Sequence, residues 1–218
     1  MNLWLTRILP DPRSRDARKD AGSAVETHHR LMALFPDDVP NTEARRALGV
    51  LFRTEPAPTG HQILLQSTHQ PDLTRLPPGY GHSLTKDITP LLAALRTDLT
   101  VRYRIAANPI RKPGRTTREL YNLSSVVPLS GPAAEEWWLR QAEASGLKAI
   151  TVHALPLDAA GGSRRQDGHR IKHNRTQFDG TAIVTDPDQL RTRIVEGIGK
   201  GKAYGCGLLS LAPTRGGV

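Results

Sequence analysis

Gly197-Ile198-Gly199-Lys200-Gly201-Lys202-Ala203-Tyr204-Gly205-Cys206-Gly207 runs directly into Leu208-Leu209-Ser210-Leu211-Ala212-Pro213. Five glycines in eleven residues leave a backbone whose amides can come close to a phosphate, and Lys200 and Lys202 add charge. The segment before the loop has helical spacing, with Asp186 as N-cap, Pro187 at the first helical position and an inner face of Leu190, Ile194, Val195 and Ile198. The segment after it, Leu208–Leu211, has the length and character of a closing strand. Helix, glycine loop, strand is the reverse of the order in which a dinucleotide fingerprint works, so a Rossmann reading is excluded. The Walker A spacing fails as well, because Ala203 follows Gly201-Lys202 where a magnesium-binding hydroxyl belongs. No nucleotide cofactor is expected. A plainer role, ending a helix and turning the chain, is open to the same glycines.

Working outward, Gln177–Val184 reads as a strand, and the run before it, Gly161 to Arg175, is the densest positive stretch in the chain. It carries Arg164, Arg165, Arg170 and Lys172, and Asp167-Gly168 is a hairpin turn signal, so a basic two-stranded ribbon is expected. A-form RNA hides the base edges of its major groove, which makes phosphates the ribbon's expected contacts. His169 and His173 are four apart, but no third ligand accompanies them and no metal site is expected. Further back lie a strand at Ala149–Ala154 and a helix from Pro132 to Gly146 carrying Trp137 and Trp138. Arg111, Lys112, Arg115 and Arg118 crowd a loop that suits either a solvated connection or an RNA-contacting arm. Val101–Ile105 alternates apolar with basic residues, as a half-exposed strand does. The second half thus reads strand, helix, strand, strand, helix, strand.

The first half gives a similar order. Residues 2–9 form an opening strand ended by Pro10, and the charged stretch Ser14 to Asp20 suits a solvated helical face or a phosphate contact. Ser23-Ala24-Val25-Glu26 is a capping box, so a helix starts there and stops at Pro36. On it His28 shares a side with Val25, Leu31, Met32 and Phe35, while His29 points elsewhere. By spacing alone His28 is a packed histidine bonded to a nearby carbonyl. Glu55–Gly60 turns into a strand His61–Ser67, and Tyr80–Leu84 can close the sheet. The expected fold is α+β: two tandem ferredoxin-like, or RRM-like, domains at 1–90 and 97–218, antiparallel sheets with helices packed on them.

At 218 residues and 38% hydrophobic content the chain can build such cores. Its net charge of +9 and pI near 10.2 point to a polyanionic partner. Arg7, Pro10 and Asp11 interrupt the only apolar stretch near the start, so neither a secretory signal nor a membrane span is expected, and the cytoplasm is the expected location. Cys206 is the lone cysteine, expected to pack as a small residue.

The pattern Gly-Ile-Gly-x-x-Lys-x-x-Gly-Cys-Gly-Leu-Leu-Ser-Leu-Ala-Pro closely resembles the C-terminal glycine-rich loop of the CasE-type CRISPR endoribonucleases of subtype I-E Cascade systems. The helix with His28 ahead of Leu34-Phe35-Pro36, then Ile63–Ser67 and Arg104–Ile110, match in order. The resemblance implies an enzyme that cleaves CRISPR precursor RNA at repeat hairpins without a metal, leaving 2′,3′-cyclic phosphate and 5′-hydroxyl ends. It implies that the enzyme stays on the RNA hairpin among the other Cascade subunits. His28, three residues before Leu31, meets the family's catalytic spacing. Val25 stands where some members carry a tyrosine, which leaves the second catalytic group open between Lys172 and Lys202. The RNA-contacting set is then Arg111, Lys112, Arg115, Arg118, Arg164, Arg165, Arg170, Lys200, Gly201 and Lys202, with no cofactor. A hairpin-binding protein without catalysis and a ribosome-associated basic protein are the rival readings.

Overall fold

The computed structural model describes residues 2–36, 44–163 and 170–214, and of 162, 163 and 170–172 the backbone alone. Its first sheet contains β1 (Trp4–Pro10), β2 (Leu51–Ala57), β3 (Gly60–Ser67) and β4 (Gly81–Asp87) in the order β2-β3-β1-β4, every pair antiparallel. That is the ferredoxin-like order. Between β1 and β2 run α1 (Arg15–Ala21), α2 (Ala24–Met32) and the single turn α3 (Ala44–Ala47). Between β3 and β4 the chain makes only a 3-10 turn, Leu73–Arg75, capped by Asp72. Apolar residues at alternate strand positions and three- to four-residue helix steps meet in one core around Ile8, Leu31, Leu34, Phe35, Phe52 and Ile63.

A short helix, α4 (Thr89–Ala93), carries the chain across and sinks Leu92 into the second core, joined there by Leu3 from the start of the chain. The second sheet has β5 (Thr100–Ala107), β8 (Leu147–Ala149), β10 (Arg170–Val184) and β11 (Leu209–Pro213) in the order β11-β5-β10-β8, with β9 (His153–Ser163) also paired to β10. On one face pack α6 (Pro132–Glu143) and α7 (Pro187–Glu196). Trp138 lies 5.3 Å from the Tyr103 ring and 5.7 Å from that of Phe178, so the tryptophan pair belongs to the core.

Four expectations change in detail. The strand expected at Ala149–Ala154 is split: the Ile150 and Thr151 amides both donate to the Thr181 carbonyl, and the chain bends before β9 begins. The bend passes so close to Gly180 that a Cβ there would sit 2.0 Å from the Thr151 oxygen. The second arm of the basic ribbon, from Arg170, and the strand expected at Gln177–Val184 are one β10, while Gly161–Ser163 belong to β9. The loop holding Arg111 to Arg118 folds into β6 (Ile110–Arg111), α5 (Arg115–Tyr121) and β7 (Val127–Pro128). Finally, Glu55 to Ala57 belong to β2 rather than to the turn.

The two sheets are tied by a buried arginine. Arg53 of β2, 2% exposed, donates Nε to Glu55 Oε1 at 2.9 Å, Nη1 to the carbonyls of Arg104 and Leu208, and Nη2 to Ser210 Oγ at 3.0 Å. Gln66 adds a bond to the Ile194 carbonyl, and Arg191 caps the carbonyls of Leu92 and Leu95.

Candidate active site

Ser23 stands in extended backbone and its Oγ accepts from the Glu26 amide, so α2 begins where the capping pattern places it. The helix is then locked against its neighbours. Thr27 Oγ1 donates to the Asp20 carbonyl at 2.8 Å, while Arg30 Nε and the Tyr80 hydroxyl both donate to Asp20 Oδ2, at 2.7 and 3.0 Å. Leu31 is fully buried below. This fixes His28 on a half-buried face, with its ring stacked on Phe52 at 6.3 Å and His29 exposed to solvent.

His28 Nδ1 is buried and has no hydrogen-bond partner among the described residues. Burial, and then the like charges of His29 and Arg45, push its pKa down to about 4. The imidazole is therefore neutral at neutral pH and able to accept a proton. A packed histidine would satisfy Nδ1 with a carbonyl, because an orphaned buried nitrogen costs about 1–3 kcal/mol. Such an uncompensated nitrogen is free to bond a ligand.

The glycine loop faces this helix. Gly197 ends α7 with φ at +77°, and Gly207 has φ at +89°, where a Cβ would sit 2.8 Å from the Ile198 carbonyl oxygen. The loop closes on itself and on β5: the Ile198 amide donates to Gly207 O, that of Gly207 to Ala106 O, and those of Tyr204 and Cys206 to Gly201 O. These four amides are spent on the loop's own shape, so the expectation of a phosphate cradle made of backbone holds at most for the remaining ones. Within the loop Lys202–Tyr204 forms a 3-10 turn that packs on α2 and β2, so the histidine helix and the loop lie side by side.

Lys202 donates Nζ to the Glu196 carbonyl at 2.7 Å, and its pKa is lowered by burial and by Arg45. Arg45 thus acts on both His28 and Lys202, yet it was not singled out in the sequence. Its signal there was only an arginine pair in a mixed stretch. Tyr204 and Arg175 were missed in the same way: the Tyr204 ring lies 4.6 Å from that of His173, whose Nδ1 is 2.9 Å from Asn108 Nδ2. Cys206 is buried and its thiol is pushed up to about 12, as a packing residue's would be.

Lys200 bridges to Asn108 through the backbone, and the Lys112 ammonium beside it lowers its pKa. Two like charges held together, both exposed, suit an anion between them. Arg111 is also exposed; Arg115 pairs with Glu119 at 2.8 Å; Arg118 Nε is buried without a partner among the described residues. Arg170 and Lys172 stand on β10 opposite Ser163 and Gly161, with no side-chain description. Arg164, Arg165 and His169 lie outside the described residues. Among the described residues no three His, Cys, Asp or Glu side chains gather as a metal site.

Tandem ferredoxin-like units with a desolvated histidine packed beside a lysine-bearing glycine loop fit an RNA-processing protein. The family model described as CRISPR associated protein matches residues 3–213, and the chain belongs to that family, in its CasE-type endoribonuclease branch. It is 30% identical over 225 residues to the CRISPR-associated endoribonuclease Cse3 of Thermus thermophilus, covering 97% of this chain and 100% of that one. It is 29% identical to the Cascade subunit CasE of Escherichia coli, covering 90% and 96%. The fold is similar, with a TM-score of 0.80 and 28% identity over 98% of this chain and all of the other, to Thermus thermophilus Cse3 bound to an RNA representing a pre-cleavage complex. A chain of a CRISPR RNA-guided surveillance complex is 36% identical with a TM-score of 0.70, covering 97% of this chain and all of that one.

Proposed function

We propose that the protein cleaves CRISPR precursor RNA at its repeat hairpins and remains on the product as a subunit of a Cascade-type complex in the cytoplasm. The observation that carries this reading is the neutral His28, its Nδ1 buried without a partner among the described residues, held beside the glycine loop with Arg45 acting on both it and Lys202. In the reaction His28 takes the proton of a 2′-hydroxyl, the 2′-oxygen bonds to phosphorus, and the bond to the 5′-oxygen breaks as that oxygen receives a proton. The ends are a 2′,3′-cyclic phosphate and a 5′-hydroxyl. Lys202, with its lowered pKa, holds the charge that builds on the phosphate, and Arg45 supports it. Lys172 is the other candidate for that role. No metal is required by this scheme. The cations of the ribbon, together with the exposed Arg111, Lys112 and Lys200, hold the hairpin through its phosphates.

The test uses CRISPR repeat hairpins. Deoxyribose at the nucleotide 5′ of the scissile bond abolishes cleavage and leaves binding intact, and a chelator changes neither. His28→Ala gives the same split, with cleavage down by at least about 100-fold and hairpin affinity unchanged. Cleavage that survives loss of the 2′-hydroxyl would overturn the scheme, and a wild type that binds but never cleaves would establish the hairpin binder instead.

A further inference from the structure

Between the corner joining α1 to α2 and the root of the β9–β10 ribbon lies a cavity of about 250 Å3 that the scheme above does not use. We infer that it binds one unpaired nucleotide, the neighbour of the linkage held at His28, with the phosphate on Arg175 and the base against His61 and Tyr204. This rests on the reading of the protein as an RNA enzyme, which supplies the strand.

The cavity adjoins His28. Phe52 lines it and stacks on His28, and Thr27, the residue before His28, forms part of its wall. Arg175 is fixed for anion binding: Nε donates to the Asp158 carbonyl at 2.8 Å, which leaves the Nη groups directed elsewhere, and Nη1 lies 3.7 Å from where a Gly205 Cβ would be. No carboxylate pairs with it among the described residues. His61 and Tyr204 are both half-buried flat rings. Burial lowers the pKa of His61, so its ring is uncharged at neutral pH and suited to a base rather than to a phosphate. Tyr204 is held in place by the ring of His173. The volume is slightly below the roughly 300–1,000 Å3 of drug-sized pockets, enough for a single nucleotide and too small for a base pair. Charge on one wall and rings on another is the pattern by which single strands are held.

The probe is a repeat stem-loop made uncleavable by one deoxyribose, with 2-aminopurine in the unpaired position next to the scissile linkage. Its fluorescence should be quenched on binding the wild type. Tyr204→Ala, which removes a ring, and Thr54→Trp, which fills the cavity from β2, should each abolish the quenching and weaken binding about tenfold, since one base on one aromatic ring is worth about 1–3 kcal/mol. Thermal unfolding of both variants shows that they fold. A probe that stays bright on the wild type, or is quenched equally by both variants, overturns the inference, as does a failure to bind. The all-ribose hairpin is scored separately: cleavage without quenching removes the pocket and keeps the enzyme, whereas quenching without cleavage does the reverse.

Discussion

His28 links pH to stability as well as to chemistry. Its pKa falls from the ordinary 6.5 to about 4 on folding, so between those values the unfolded chain holds a proton that the folded chain refuses. The stabilisation is present in full above about pH 6.5 and is lost as pH falls towards 4, by about 3 kcal/mol from this residue alone. Urea denaturation at a series of pH values should show that slope, and His28→Ala should flatten it. The residue itself was legible in the sequence, since its step to Leu31 puts it on the apolar side of a capped helix. Its missing partner was not, because only the surrounding side chains decide whether a nearby carbonyl reaches Nδ1. Arg45, Arg175 and Tyr204 were illegible for a related reason. Arg45 has Arg46 beside it, Arg175 ends a run of basic residues and Tyr204 is the one ring of the glycine loop, and only tertiary contacts show which side chains of these stretches matter.

At the scale of elements, patterns that are local in the chain could be read and those that depend on crossing strands could not. The capped start of α2, the Asp186-Pro187 start of α7 and the β2–β3 hairpin all follow from a few adjacent residues. The break between β8 and β9 follows instead from two amides sharing the Thr181 carbonyl on a distant strand, and α5 forms where composition suggested only a charged loop. The glycine loop was found by its composition, but its role changes: Gly207 is required by a positive φ and by a carbonyl close behind it. Gly207→Ala should cost about 2 kcal/mol in unfolding free energy. Because the loop positions Lys202 rather than gripping RNA through all its amides, cleavage should fall further than hairpin affinity in this variant, as single-turnover rates and binding titrations would show.

For the whole molecule, the tandem plan was readable from two similar orders of strands and helices, while the joint between them was not. Arg53 looked like one more basic residue, yet it is buried with its donors spent on Glu55, two carbonyls and Ser210. Arg53→Ala, which takes the nearest cation from buried Glu55 and leaves it Gln62 and the more distant Arg104, should lower stability by about 3 kcal/mol in urea titrations, with Arg53→Lys only partly restoring it. The surface field is the other property of the whole: Lys200→Ala should reduce the slope of log affinity against log salt for the hairpin by about 1. The Arg53 joint has one further outcome. Two of its acceptors, Leu208 and Ser210, come from β11 and the residue before it, so on a ribosome the amino-terminal sheet emerges with that guanidinium holding Glu55 until residues 208–210 follow. A nascent chain stalled before residue 208 then lacks part of the clasp between its two sheets.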